Sequence, residues 1–197
     1  VFFMKKIINM TGCLLLILAG IVTAHAYAIL SAGGFTPYPT QVVCHQGFAS
    51  SVKSAVSNAC SAWNNAGVGT LVTRSSSTHS NQSDFPLKNN ANQITTISYG
   101  QTLDVMCSKL TQVKVIGFKR YNTEVDININ TSYPWATNGD SKAYDVQNGI
   151  THELGHLLGL DEERNKTGST MYFQLRLGET LKRTLDSDDI EGLKLIY

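Results

Sequence analysis

Two histidines and a glutamate packed into five residues constrain this chain more than any other feature. The segment 151–163 reads THELGHLLGLDEE, with His152 and His156 four apart and Glu153 directly after the first. On a helix, residues at that spacing share one face. Two imidazoles so placed can hold one zinc ion about 2 Å from each nitrogen. Glu153 then sits beside the ion, where its carboxylate can take a proton from a water that the metal has made acidic. Spaced this way, the three residues point to metal-assisted hydrolysis.

A zinc site of this kind needs a third protein ligand. Gly159 follows His152 by seven residues, and a glycine there can take the left-handed conformation that ends a helix. The chain then turns back and can present Glu162, ten residues after His152. A carboxylate is an acceptable zinc ligand at about 2.0–2.2 Å. Glu163 would replace it if the turn slipped by one residue.

The 197 residues, 21.5 kDa, suffice for one domain with a real core. With 42% hydrophobic and 16% charged residues, a disordered chain is excluded. Residues 1–26 are expected to be an export signal: Lys5 and Lys6 form a positive start, Cys13 to Val22 an apolar middle, and Ala24-His25-Ala26, or Ala26-Tyr27-Ala28, a small-x-small cleavage pattern. The apolar run is too short to span a bilayer comfortably. This divides the chain into a signal, 1–26, and a single domain, 27–197, secreted or periplasmic and with no membrane attachment after cleavage. The net charge of +1 comes with no basic face, so no nucleic-acid partner is expected; the domain is expected to be a monomer. An oxidising compartment would allow one disulfide and one free thiol among Cys44, Cys60 and Cys107, with three possible pairings.

Along the domain, Val52, Ala55, Val56, Ala59, Cys60 and Trp63 make one apolar helical stripe from about Ser51 to Asn64, with Ser50 or Ser51 as its cap. Residues 73–93 read as a polar surface loop. Residues 93–100, 111–118 and 123–130 read as strands. In the last of these Val125, Ile127 and Ile129 face one way and Asp126, Asn128 and Asn130 the other. A loop over 131–142 leads to a second helix near Val146, and a last helix begins near Asp188. The order is that of an α+β domain. His45 and His79 are expected at the solvated surface.

HELGHLLGLD resembles the zinc helix of the matrixin branch of the metzincin metallopeptidases. GSTMY, Gly168 to Tyr172, is similar to the family's Met-turn, whose methionine, here Met171, lies beneath the metal. LDSDDIEGLKLIY, 185–197, resembles the family's C-terminal helix, and TEVDININ with YDVQNGI resembles the strand and run-in that precede the zinc helix. The resemblance implies a metzincin-like catalytic domain: a twisted mixed β-sheet, a helix in the N-terminal half, the zinc helix, the Met-turn and a C-terminal helix. It implies a secreted zinc endopeptidase in which His152, His156 and Glu162 hold one zinc and Glu153 is the general base. Tyr172, Phe173 and Gln174 would line the specificity pocket, and an extended protein or peptide substrate would add to a sheet edge, for which residues 131–143 are the candidate. In matrixins an acid of the Asp188–Asp189 pair can also hold the mature N-terminal ammonium; here that role competes with simple helix capping.

The chain departs from the family pattern at three places. Asp161 aligns with the Asp of the usual GLDH string, so Glu162 stands where the third ligand is normally His. No segment resembles the cysteine switch; Cys44 in VVCHQG does not. No histidine occurs from 80 to 151, so a second, structural zinc is not expected. Calcium is possible through Asp140 and Asp145 but has no support beyond their charge. The rival reading is a secreted zinc-binding domain without catalysis, in which Glu162 quenches the metal and the cleft binds proteins or peptides. An intact Glu153 argues against it.

Overall fold

The computed structural model describes residues 27–30, 34, 38–81, 85–101, 105–116 and 119–197; the expected export signal, 1–26, lies outside them. Five strands form the main sheet: β1 (Thr40–His45), β2 (Val72–His79), β3 (Asn92–Ile97), β4 (Met106–Ile116) and β5 (Lys119–Asn130), in the order β2-β1-β3-β5-β4. β1, β2, β3 and β5 run parallel, and β4 returns antiparallel along β5 to make one edge. The helices are α1 (Ser50–Asn64), α2 (Val146–Leu157) and α3 (Ser187–Ile196), with a short 3-10 turn at Leu181–Arg183. This is the α+β metzincin arrangement that the sequence implies. Among the described residues no helix is long and apolar enough to cross a membrane.

The core lies between one face of the sheet and the helices. Val125, Ile127 and Ile129 of β5 face it, as their alternation requires, with Val42 and Ile94 beside them and Val56, Trp63, Ile150, Leu154 and Leu157 from α1 and α2. The opposite face of β5 is buried too. Glu124 accepts the backbone N–H groups of Asn89 and Asn90 at 2.8 and 2.9 Å, and Asp126 those of Leu87 and Gln93 at 2.7 and 2.9 Å. These carboxylates hold the chain that leads into β3 across the far side of the sheet.

Several expectations are corrected. Residues 73–79 are not loop but most of β2, paired in parallel with β1. The edges of the described sheet are β2 and β4, not 131–143, where the only strand is Trp135–Ala136 (β6), paired with Tyr144–Asp145 (β7) in a separate two-stranded ladder. The residue before α1 is Ala49, and no side chain caps it. His45 and His79 are buried, not solvated: register places them opposite each other, their rings 5.4 Å apart. Cys44 and Cys60 are buried free thiols that no bridge joins, and burial pushes them up to about 11 and about 12. Any pairing of Cys107 lies outside the described side chains. Asp145 is the N-cap of α2, accepting from the Asn148 N–H at 3.0 Å, and it pairs with Arg183, while Asp140 closes its own turn through the Lys142 N–H. Both acids have structural work, and calcium gains no support from them.

Candidate metal centre

α2 carries the first two ligands on one face, as their spacing requires. The Nδ1 atom of each ring is tied to a backbone carbonyl: His152 to Thr170 at 2.9 Å, and His156 to Leu160 at 2.9 Å. A ring held through Nδ1 points Nε2 outward as the ligand atom, and such supports fix both tautomer and orientation. The helix ends where Gly159 takes φ 104°, a conformation a side chain would strain. Two hydrogen bonds then bind the turn to the segment before the sheet, Leu30 N–H to the Gly159 carbonyl and Asp161 N–H to that of Ala28, each 2.8 Å. The Asp161 carboxylate accepts the Glu162 N–H at 2.8 Å, which fixes the turn locally.

That turn swings Glu162 over the histidines. Its Oε1 lies 3.6 Å from Nε2 of His152 and 3.5 Å from Nε2 of His156. Two ligand atoms about 2 Å from one tetrahedral zinc stand about 3.4 Å apart, so the donor set fits the ion. Its other oxygen, Oε2, is buried without a hydrogen bond. These three residues form the one group of potential metal ligands among the described residues, all their donor atoms lying within 4.8 Å of one another. Glu163 is not the ligand: it is buried and turned back to accept the N–H groups of Asn165 and Lys166.

The electrostatics favour a cation. Burial alone would raise the Glu162 carboxyl, but the two imidazoles beside it hold it far below the usual carboxylate range. Burial opposes charge on His156, yet Glu162 and the field of Glu153 prevail and push it up to about 9. Glu153 is buried on the same helix, and its carboxylate makes no hydrogen bond among the described residues. It is the one acid here not already committed to a structural partner or to the ligand set.

Beneath the site, Met171 is buried in a turn held by Asp189, which accepts Ser169 Oγ at 2.6 Å, the Thr170 N–H at 2.7 Å and the Met171 N–H at 3.2 Å. Asp189 also completes the capping box of α3 with Asp186. This accounts for Asp189 as the tie between the Met-turn and α3. The matrixin model matches residues 48–197, well over half of the chain. The chain is a matrixin. Among solved structures it is similar to a chain of the "GM1 bound form of the ECX AB5 holotoxin", 14% identical with a TM-score of 0.46, covering 87% of this chain and 86% of that one. A likeness so slight carries no argument here. As a matrixin the chain is a zinc-dependent peptidase domain, with His152, His156 and Glu162 as its metal-binding cluster and proteins or peptides as the substrate class that the family implies.

Some supporting residues of this matrixin were not visible in the sequence. Trp63 Nε1 donates to the Thr151 carbonyl at 2.8 Å, one residue before the first ligand. Asn122 on β5 reaches the carbonyls at the end of α2, 3.3 Å from that of Leu157. The indole and the Met171 sulfur close over Gly155: a Cβ built there would lie 2.2 Å from Met171 Sδ and 2.8 Å from Trp63 Cζ2. That contact gives the glycine of HELGH a physical reason. Of the expected pocket residues, Tyr172 is half-buried, while Phe173 and Gln174 are exposed.

Proposed function

We propose that this matrixin is an exported, monomeric endopeptidase that cuts extended polypeptide segments, with Glu153 as its general base and no nucleic-acid partner. One observation carries the reading: an uncommitted carboxylate lies next in sequence to a ligand of a fitting three-residue zinc site. Zinc, when bound, supplies a Lewis acid that polarises the scissile carbonyl and lowers the pKa of water to near neutrality. Glu153 takes a proton from the attacking water and returns it to the leaving amine. His152 and His156, each held at Nδ1, keep the ligand face rigid through that exchange.

The edge strand β4 supports the substrate part of the reading. Among the described residues its outer side has no partner strand in the sheet, and its first residue, Met106, packs against α2 at Gly149, one turn before His152. An extended peptide laid along β4 would add to the sheet and meet the helix near the metal. Tyr172, Phe173 and Gln174, following the Met-turn, would form the wall of the pocket beside the scissile bond. Export is supported by the composition of residues 1–26 alone.

The deciding measurement is Glu153→Ala. The variant is expected to keep about one zinc per chain and to lose at least the 10²–10⁴-fold that a positioned base contributes. Retained turnover on peptides would remove Glu153 from the chemistry.

A further inference from the structure

Two aromatic rings beside the metal centre are surrounded by cations. Tyr172 and Phe173 lie 4.9 Å apart, centroid to centroid. Arg164 stands over Phe173 at 5.3 Å, Arg176 over Tyr172 at 6.0 Å, and Lys182 over Tyr172 at 5.9 Å. The rings belong to the segment that pairs with the third-ligand turn: the Glu163 N–H donates to the Met171 carbonyl at 2.8 Å, and the Phe173 N–H to the Glu163 carbonyl at 3.0 Å. The group therefore begins two residues beyond Glu162 on one strand and one residue beyond Met171 on the other.

Among the described residues, none of these three cations has a carboxylate within 4.0 Å, whereas Lys166 and Arg183 each do. Lys182 is 1% exposed, and its Nζ donates only to the Tyr172 carbonyl, leaving donor capacity unused. Burying an ammonium with no carboxylate in direct contact is costly, and the fields of Glu179, Glu162, Glu153 and Asp189 offset only part of that cost. The nearby acids are otherwise engaged. Glu153 and Glu162 belong to the metal centre, Asp189 holds the Met-turn, and Glu179 accepts the Arg176 backbone N–H at 3.1 Å. Resting cations on ring faces keeps them ordered without neutralising them.

We propose that the exposed Arg164 and Arg176, with Lys182 buried behind the Tyr172 ring, form a cationic specificity wall that selects substrates carrying an aspartate or glutamate next to the scissile bond. The inference rests on the peptidase reading and narrows its substrate class. An acidic side chain entering beside Tyr172 would give the two arginines a carboxylate in direct contact, through charge-assisted hydrogen bonds, with Lys182 adding its field from behind the ring.

The test uses the zinc-loaded enzyme and quenched fluorescent peptides identical except for Glu, Asp or Gln at successive positions on either side of the cleaved bond. At one position Glu or Asp is expected to raise kcat/KM about tenfold over Gln, and added salt should narrow the ratio. In Arg164→Gln and Arg176→Gln, both at exposed side chains, the ratio should fall toward one; Lys182→Met extends the series if it folds. Equal rates for Glu and Gln at every position, or a ratio unchanged in the arginine variants, would overturn the specificity wall while leaving the peptidase intact. No cleavage of any peptide would overturn both.

Discussion

The indole N–H of Trp63 and the carbonyl of Thr151, 2.8 Å apart, join α1 to α2 immediately before the first zinc ligand. Both residues are fully buried. Trp63→Phe removes the donor and leaves a gap against Gly155. It is expected to destabilise the protein by about 2–3 kcal/mol, a fall in Tm of roughly 5–10 °C for a chain of this size. Urea denaturation of the zinc-loaded protein measures it. A loss under about 0.5 kcal/mol, the level of an ordinary surface change, would mean that the tie between the helices is not needed.

Gly155 meets the same tryptophan from the other side. A methyl group there would overlap Met171 Sδ at 2.2 Å and Trp63 Cζ2 at 2.8 Å. Gly155→Ala should therefore destabilise by about 1–3 kcal/mol, the usual range for overpacking, although alanine is the better helix former. Because the sulfur is the closest obstacle, Met171→Ala made in the Gly155→Ala background should cost less than Met171→Ala alone. A double-mutant cycle reads this coupling directly. Strict additivity would show that the helix shifts to absorb the methyl group without involving Met171.

The metal chemistry was legible because it is local. His152, Glu153, His156, Gly159 and Glu162 lie within one helix and its turn, so spacing alone predicts which side chains meet. The amphipathic stripe of α1 and the alternation of β5 were legible for the same reason. β2 was not. Its sequence, VTRSSSTH, has no apolar alternation, and it becomes a strand because β1 offers it a parallel backbone partner from a distant part of the chain. That pairing also buries His45 and His79 against each other, which no local pattern could announce. The cations around Tyr172 are likewise spread over 164–182, and only the folded turn gathers them.

Glu162 is the least familiar of the assigned ligands, and it can be tested without measuring activity. Glu162→Ala should reduce bound zinc well below one per chain. In the wild type, zinc held at about 1,000 times its dissociation constant would stabilise the fold by about 4 kcal/mol, so a chelator should lower Tm clearly. In Glu162→Ala that chelator-induced shift should shrink toward zero, whereas Glu162→His should restore much of it, since imidazole is also a good zinc ligand. Metal analysis and paired thermal scans would report both effects. Full zinc occupancy in the alanine variant would remove Glu162 from the ligand set.

Asp126 makes a prediction about pH that is separate from the metal. Burial raises its carboxyl from 3.8 to about 6, against the N–H groups of Gln93 and Leu87, which favour the charged form, and with Glu124 adding repulsion. Between about pH 4 and pH 6 the folded state therefore keeps a proton that the unfolded state has already lost. Stability falls with pH wherever the folded state binds more protons, so the contribution from Asp126 is greatest below about 4, declines through that window and is constant above about 6. Asp126→Asn cannot titrate. It gives up one accepted N–H bond, which lowers Tm by a fixed amount, but the pH-dependent part disappears. The Tm of the variant minus that of the wild type should thus rise from pH 4 to pH 6 and then level off. Thermal scans at half-unit intervals would measure that difference; parallel curves across the window would show that Asp126 is ionised there in both states and that its two backbone hydrogen bonds outweigh its burial.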